Sequence, residues 1–395
     1  MISFDEAFDK VIQHTQNWGV ETVDLLESTD RVLAEPVLAD RDFPPFDRST
    51  RDGIAIDFTA FEKGRSTFQI ESVLSAGMPQ KELSSPELCC EIMTGAIVPK
   101  NADTVIMYEE ATLENGNAIV KSIPKKGQNI HKRGSDARTG AILLRPDRSV
   151  SAAEIGVLAT VGKTRVSVKK LPKVCVISTG NELVDVSETP LPHQIRKSNA
   201  LSLYAALSKD NITPELLHLT DDKKTIEENI VRVLQQNDVI LLSGGVSKGK
   251  FDFIPEVMKS LHVEKVFHRV AQRPGKPFWF GVQKQHNTQV FSFPGNPVST
   301  FTNYHVYFVP WLYQCLGLRY PKREVILDQP IRNDLPLTRF VQVKTHFEKG
   351  KLCANPITDG GSGDLASLSK SDGFVCLRPR EQEYEKGELV SFYET

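Results

Sequence analysis

The feature that most constrains the fold is a glycine-rich segment between a buried strand and a helix. Residues 238–242 form a short apolar run of the kind found in buried parallel strands. Residues 243–252 follow and read Ser-Gly-Gly-Val-Ser-Lys-Gly-Lys-Phe-Asp, and residues 253–258 can begin a helix. A strand, a glycine-rich turn and a helix direct backbone N–H groups and a helix N-terminus at an anion. Loops that only connect a strand to a helix share this pattern. Both interpretations, an anion site and a plain connecting loop, therefore stay open at this point.

Strand and helix patterns alternate before this segment. Strands are predicted at residues 173–177 and 216–219, and a helix with one apolar face covers residues 226–234. With the strand before the glycines, this βαβαβ order predicts a doubly wound, mainly parallel α/β sheet with helices on both faces. In such sheets, ligands bind beyond the carboxyl ends of the strands.

Acidic residues follow these predicted strand ends. Glu182, Asp221 and Asp252 each come just after one of them. Because the carboxyl ends of parallel strands meet at one edge, we expect the three carboxylates to converge on the glycine-rich turn. Carboxylate oxygens are the ligands that hard divalent cations take. The sequence therefore predicts a metal and phosphate site, with these three acids on the metal and the following residues at the phosphate: Ser243, Gly244, Gly245, Ser247 and Gly249.

A second polar cluster follows later strands. Arg269, Arg273 and Lys276 concentrate three cations next to a turn, and a helix is predicted to start near Pro297. Surface arginines are usually solvated, but at strand ends an oxyanion partner is the favoured interpretation. His268 is a possible catalytic base, although its place in a strand pattern favours a structural role.

The pattern of elements predicts four domains. Residues 1–45 with 146–171 form a helical and linker domain, residues 46–145 an inserted β-rich domain, residues 172–318 the α/β domain, and residues 319–395 a C-terminal β-rich, barrel-like domain. Further predictions follow from shorter patterns: a capping box at Ser3 and Glu6, a small helix at residues 31–34, and a hairpin turn at Asn115-Gly116.

Three polar turns in the N-terminal third have more than one explanation. Residues 42–53 carry aspartates, including Asp52, between two prolines and a glycine, which indicates either an interdomain linker or a functional loop. Thr94 and Asp136 lie in turns where such residues commonly form local hydrogen bonds.

Composition narrows the function classes. The 395 residues are 40% hydrophobic and 25% charged, and 48 basic against 50 acidic residues leave a net charge of −2. We therefore expect no general affinity for nucleic acid or an anionic membrane. The six cysteines form no Cys-x-x-Cys pair, which predicts buried free thiols in a reducing compartment and no structural zinc. No signal peptide or membrane-spanning run is recognisable, so the prediction is a cytoplasmic protein.

Read together, these segments resemble the molybdopterin molybdenumtransferase family, the MoeA-type enzymes related to the E domain of gephyrin. The resemblance runs from residue 3 to the C-terminus, and seven segments occur in the family's order: residues 45–53, 92–96, 133–136, 178–183, 243–252, 273–277 and 294–299. Each segment alone is weak evidence, but the seven in register are specific.

The resemblance implies an activity. It implies a central domain like MoaB and Mog, and insertion of molybdate into adenylylated molybdopterin with Mg²⁺-dependent release of AMP. It implies a homodimer in which the site of one subunit is completed by the other, with further proteins of molybdenum cofactor synthesis as partners. The catalytic group would be Asp52, Thr94, Asp136, Glu182 and Asp252. The oxyanion subsite would comprise Arg269, Arg273, Lys276 and Ser299, with Pro294 and Pro297 in the turn beside it.

The sequence differs from the family pattern at three positions, and two alternative functions remain open. The family usually has Met where this chain has Arg51, an acid where it has Asn181, and an apolar residue where it has Lys248. The second departure puts the number of metal ligands in doubt. The alternatives are molybdopterin adenylyltransferase, whose enzymes share the central fold but usually lack the flanking domains, and a gephyrin-like peptide-binding scaffold without catalysis.

Overall fold

The structure is a computed structural model that describes residues 1–246, 253–358 and 360–395. Up to residue 170 its helices and strands are, in chain order, α1 (Phe4–Ile12), β1 (Val20–Asp24), β2 (Val37–Leu38), β3 (Arg48–Ser49), β4 (Gly53–Ile56), α2 (Phe58–Glu62), β5 (Thr67–Leu74), β6 (Leu88–Ile92), β7 (Thr104–Met107), β8 (Ala111–Glu114), β9 (Asn117–Val120), β10 (Ile130–His131), β11 (Ile142–Leu144), α3 (Ala152–Thr160) and β12 (Arg165–Lys169).

The chain begins with the predicted capped helix. The Ser3 hydroxyl accepts a hydrogen bond from the Glu6 N–H at 3.1 Å, which stabilises the first turn of α1. β1 pairs with β12 and β2 pairs with β11, both antiparallel. The segment 39–141 is therefore an insertion whose two ends meet at the β2–β11 pair of the N-terminal region.

The prediction of a small helix at residues 31–34 is wrong. Val32 and Leu33 are extended and form antiparallel bridges with Ser149 and Val168. Leu33 is completely buried, and its N–H donates to the Arg148 carbonyl at 2.9 Å. Pairing with a distant segment outweighed the local preference for a helix.

A six-stranded sheet lies within residues 53–120. Its strand order is β7-β4-β6-β5-β9-β8, with apolar side chains packed on both faces. The predicted hairpin is confirmed, since β8 and β9 pair antiparallel and Asn115 and Gly116 have φ values of 50° and 75°.

The central elements are, in chain order, β13 (Val174–Thr179), β14 (Leu183–Val184), β15 (Ile195–Arg196), α4 (Ser198–Lys209), β16 (Glu215–Leu219), α5 (Lys223–Gln236), β17 (Val239–Ser243), α6 (Ile254–Ser260), β18 (Val263–His268), β19 (Gln272–Arg273), β20 (Trp279–Gln283), β21 (Thr288–Phe293), α7 (Pro297–Asn303) and α8 (Val309–Cys315). A π-helical turn, Tyr304–Phe308, joins the last two helices.

The central sheet is doubly wound, as predicted. Its order is β16-β13-β17-β21-β20-β18. The first four strands pair in parallel, and β20 pairs antiparallel with both β21 and β18. One face packs against α4 and the helices around Trp311, and the other packs against α5 and α6. Both faces are therefore buried, which explains the continuous apolar strands.

The C-terminal elements form a closed barrel. They are β22 (Arg323–Leu327), β23 (Thr338–Glu348), β24 (Lys351–Pro356), α9 (Leu365–Leu368), β25 (Gly373–Leu377) and β26 (Leu389–Glu394). The order β23-β24-β22-β26-β25 returns to β23, so five strands close around a core that includes Val325, Val341 and Val375. β19 pairs parallel with β23, which places Arg273 at the barrel edge.

Within the described part of the chain, we find no helix that combines the length and the apolar character needed to cross a membrane.

Candidate functional site

A cavity of about 500 Å³ opens at the carboxyl ends of three parallel strands. The ends are level, because Ser178 of β13 is in register with Ser243 of β17, and Ser243 with Phe293 of β21. The cavity is lined by Ser178, Thr179, Gly180, Glu182, Leu183, Ile195, Arg196, Lys197, Ser198, Asn199, Asp221, Ser243, Gly244, Gly245, Gly295, Asn296, Pro297 and Gly363. The predicted edge of the sheet therefore carries a polar cavity.

Two glycines allow the turn after β17 to pack against β13. Gly244 and Gly245 have φ values of 104° and 69°, in the region that favours glycine. A Cβ at Gly244 would come within 2.8 Å of the Thr179 hydroxyl, and one at Gly245 within 2.6 Å of the Ile254 side chain. Both sit in the cavity wall, as expected for backbone that approaches a phosphate.

Glu182 and Asp221 line this same cavity. The Glu182 carboxylate folds over Gly180, where any Cβ would overlap it. Asn181 and Asp221 are joined reciprocally: the Asn181 N–H donates to Asp221 Oδ2 at 3.3 Å, and the Asp221 N–H donates to Asn181 Oδ1 at 3.1 Å. The residue at which the chain departs from the family pattern therefore holds one predicted metal ligand in place.

These two carboxylates fit a hard divalent cation. Within the described ranges, no donor binds the Glu182 carboxylate, and Asp221 Oδ2 accepts a single long hydrogen bond. Both residues line the cavity and keep carboxylate oxygens without a donor among the described residues, and carboxylate oxygen is the ligand type that Mg²⁺ takes. The third predicted ligand, Asp252, and the predicted phosphate contacts Ser247 and Gly249 lie outside the described residues.

Asn199 is a residue of the cavity wall that the sequence analysis did not identify. The α4 N-cap is Lys197, which makes no side-chain cap. The Asn199 amide instead donates to Ser243 Oγ and to the Gly295 carbonyl, both at 2.7 Å. It joins the end of β17 to the turn after β21. Ser243 itself is 3% exposed, so its hydroxyl serves mainly this internal network.

A second cavity, of about 670 Å³, lies between the central sheet and the barrel. Arg273, Lys276, Pro294 and Ser299 line it as predicted, and Arg332 and Arg339 add two cations that sequence reasoning missed. No local signal marks these two, because they come from the barrel and reach the cavity only through tertiary packing.

The two cavities share a wall. Asn296 lines both, and its amide donates to the Ser362 hydroxyl at 2.8 Å, which holds the loop around residues 360–364 between them. Pro297 lines the first cavity and Pro294 lines the second, so the turn 294–297 separates the cavity with the glycine turn from the cavity with the arginines.

Arg269 is not among the residues that line either cavity. It occupies a turn with φ of 72°, where its N–H donates to the Phe278 carbonyl at 2.8 Å. Its expected place in the oxyanion subsite is therefore not supported. His268 lies in β18, and its Nε2 is 3.1 Å from the Val246 carbonyl, in keeping with a structural role.

Asp52 and Thr94 lie far along the chain from these cavities and contact each other. Asp52 Oδ1 accepts hydrogen bonds from the Thr94 N–H at 2.6 Å and the Thr94 hydroxyl at 2.7 Å. These two bonds lower the pKa of the Asp52 carboxyl below its usual value. Both residues are exposed, and neither lines the two cavities of the single chain.

Asp136 takes part in a series of side-chain contacts close to Asp52 and Thr94. Arg48 Nη2 lies 3.2 Å from His131 Nδ1, and His131 Nε2 lies 2.7 Å from Asp136 Oδ1. An arginine only donates, so Nδ1 accepts and Nε2 carries the hydrogen that bonds Asp136. Arg48 of β3 is opposite His131 of β10, and the next residue of β3, Ser49, accepts a hydrogen bond from the Gly95 N–H. The contacts of Asp136 therefore lie next to the turn that carries Thr94. The three predicted residues thus form one exposed polar surface on the N-terminal half.

Comparison with known proteins covers nearly the entire chain. Residues 2–162 match the family model of the MoeA N-terminal region (domain I and II), residues 175–314 that of a probable molybdopterin binding domain, and residues 324–395 that of the MoeA C-terminal region (domain IV).

Curated relatives and solved structures agree with these matches. A molybdopterin molybdenumtransferase of Synechocystis is 36% identical, with 100% of both chains covered. One of Bacillus subtilis is 32% identical over 98% of this chain and 93% of its own. A crystal structure of a molybdopterin biosynthesis MoeA protein from Pyrococcus horikoshii superimposes with a TM-score of 0.86, at 28% identity and 100% coverage of both chains.

Proposed function

Because this chain belongs to the MoeA family and is a transferase of molybdenum cofactor synthesis, we propose that it inserts molybdate into adenylylated molybdopterin and releases AMP with the help of Mg²⁺. The observation that carries the proposal is the pair of adjoining cavities. One combines a glycine turn with the carboxylates of Glu182 and Asp221, and the lining of the other includes Arg273, Lys276, Arg332 and Arg339.

The first cavity suits the adenylyl phosphate. Backbone at Gly244 and Gly245 lets an anion approach without a side chain in the way, and Lys197, whose ammonium pairs with Asp185 at 3.3 Å, lies on the same wall. Glu182 and Asp221 would hold Mg²⁺, together with Asp252. When bound, Mg²⁺ would neutralise charge that develops as the phosphate bond breaks.

The second cavity suits the oxyanion. Arg273, Lys276 and Arg339 can donate to molybdate oxygens, and the buried Ser299 lies beside them. Because Asn296 lines both cavities, substrate phosphate and molybdate would sit on opposite sides of the same turn. The protein's role in this scheme is positioning and charge compensation, with no covalent intermediate.

Asp52, Thr94 and Asp136 enter the proposal through a second copy of the chain. They form an exposed polar surface that does not line the cavities of their own chain. We infer that a homodimer brings this surface to the partner's cavity, where it would contact the substrate from the other side.

The test is AMP release from adenylylated molybdopterin, measured with molybdate and Mg²⁺. We expect Asp221→Asn and Glu182→Gln each to lower kcat at least about a hundredfold, since each removes a charge from the reacting centre. Glu228→Gln is the control, because this exposed acid lies on the surface of α5, where its carboxylate is 3.8 Å from the Lys224 ammonium.

Other outcomes select other functions. Absence of AMP release by the wild type, or full activity in Asp221→Asn, contradicts the proposed site. Formation of the adenylylated compound from molybdopterin and ATP indicates an adenylyltransferase. Peptide binding without either activity indicates a scaffold.

A further inference from the structure

Four side chains on the outer face of the barrel bring different metal-binding atoms together. Among the described residues, Asp328, His346, Glu348 and Cys353 each offer one ligand atom, and these atoms all lie within 4.8 Å of one another. None of the four lines the two cavities of the proposed active site. The proposed function does not use them.

Strand pairing explains why these residues meet. His346 of β23 is directly opposite Cys353 of β24 in the antiparallel ladder. Asp328 directly follows β22, the other neighbour of β24, and its N–H donates to the Ala354 carbonyl at 3.0 Å. Glu348 is two residues after His346 on the same face of its strand. Three adjacent strands therefore hold the set on a rigid surface.

The Asp328 carboxylate lacks the partner that its burial requires. Its Oδ2 is buried and accepts no hydrogen bond in the described structure. The nearest cationic candidate is His346 Nε2 at 3.4 Å, which is charged only when the ring is protonated. A buried carboxylate oxygen without a donor is costly, and a bound cation at this position would remove that cost.

The donor set selects the kind of cation. A thiolate, an imidazole and two carboxylates suit a borderline transition metal such as Zn²⁺, whereas Mg²⁺ prefers oxygen ligands alone. Cys353 is 5% exposed and His346 is half-exposed, so the thiol lies at the base of the group and the imidazole at its mouth. A tetrahedral zinc ion keeps its ligand atoms roughly 3.5 Å apart, which a small inward rotation of the exposed His346 and Glu348 would reach.

We propose that the C-terminal barrel binds one divalent transition-metal ion of the zinc class through Asp328, His346, Glu348 and Cys353. The ion is separate from the Mg²⁺ of the active site and would join three strands of the barrel. Cysteine spacing alone predicted no structural zinc, because the four ligands are separated along the chain and only one is a cysteine.

The experiment uses the full-length protein, stripped with a chelator and then titrated with Zn²⁺ or Co²⁺ in the presence of excess Mg²⁺. We expect one Zn²⁺ per chain, and with Co²⁺ a cobalt–thiolate charge-transfer absorption in the near ultraviolet. Cys353→Ala should abolish this absorption, while Cys376→Ala, a buried cysteine in the same barrel, should retain it. His346→Gln should weaken Zn²⁺ binding at least about tenfold.

Several results would overturn the proposal. They are the absence of thiolate absorption in the wild type, its persistence in Cys353→Ala, or an unchanged Zn²⁺ affinity in His346→Gln. The last variant also covers the case in which Cys353→Ala fails to fold, because the half-exposed His346 can be replaced without opening the barrel core.

Discussion

The carboxylates of the central cavity and those of the N-terminal polar surface differ in whether they already have partners. Asp52 accepts two short hydrogen bonds from Thr94, and Asp136 accepts one from His131. Glu182 has no donor among the described residues, and Asp221 has one distant donor. Their hydrogen bonds hold the Asp52 and Asp136 carboxylates in fixed positions within the chain, whereas Glu182 and Asp221 keep more oxygen lone pairs for a ligand.

The largest expected effect on the free energy of unfolding comes from a comparison of two glycine turns, one in the central cavity and one in the N-terminal half. Gly245 in the cavity wall and Gly116 in the inserted sheet both have φ near 70°, but only Gly245 is crowded by another side chain. We expect Gly245→Ala to cost about 3 kcal/mol, from backbone strain plus overpacking against Ile254, and Gly116→Ala about 1 kcal/mol, from strain alone. Denaturant unfolding of both variants measures the difference. Equal losses would show that the cavity turn is not tightly packed.

The second test compares two asparagines. Asn199 joins two strand ends through hydrogen bonds at 2.7 Å, whereas the exposed Asn117 amide donates to the nearby Asn115 carbonyl at 3.3 Å. We expect Asn199→Ala to lower the free energy of unfolding by about 2 kcal/mol, because two bonds are lost and buried acceptors are left. Asn117→Ala should stay within about 0.5 kcal/mol. A similar cost for both variants would remove Asn199 from the framework of the site.

The third test asks whether the two carboxylate groups share one site in a dimer. Asp52→Asn and Asp221→Asn chains, each inactive alone, are co-expressed with different tags. Random pairing of the two chains should restore about a quarter of the wild-type AMP release, because half of the dimers would hold one intact site of two.

The matched control pairs Asp221→Asn with Glu182→Gln. Both substitutions lie in the same cavity, so every site in a mixed dimer carries one defect and activity should stay low. Failure of the first pair to complement would mean that Asp52 acts within its own chain or outside the site.

The smallest expected effect is on the pH dependence of stability. Asp52 has a pKa below its ordinary 3.8 because Thr94 donates to it, so its contribution is complete above that pH and disappears as pH falls through the lowered pKa. Asp52→Asn should therefore lower Tm by roughly 1–2 °C at pH 7 and converge with the wild type in acid. At pH 7, Asp221→Asn should change Tm less than Asp52→Asn does, because Asp221 Oδ2 accepts one hydrogen bond of 3.3 Å. A larger change would contradict this comparison.

Much of the central domain could be predicted from residue pattern. Helix α5 buries Ile226, Ile230, Val233 and Leu234, the four positions that form its apolar face in the sequence. The parallel strands were recognisable because strands covered on both faces are apolar throughout. Glu182 and Asp221 followed from the general position of ligands at strand ends, and the structure places both in the predicted cavity.

The prediction of a helix at residues 31–34 failed because a distant segment decided the outcome. Leu33 has helical neighbours in sequence, but its backbone pairs with Arg148 and Val168. No local pattern marked Asn199 as a wall residue, because the partners of its amide, Ser243 and Gly295, come from distant strand ends. Arg269 lies in a basic run, but its turn leaves it outside the cavity lining.

By itself, the sequence determined the element types of the central domain, the glycine turn and the strand-end acids, because periodicity and backbone freedom are local properties. Only the tertiary structure decided that two cavities share Asn296, that Arg332 and Arg339 join the cationic one, and that Asp328, His346, Glu348 and Cys353 meet on the barrel. These contacts depend on which strands become neighbours, and that depends on burial of the whole core and not on any single segment.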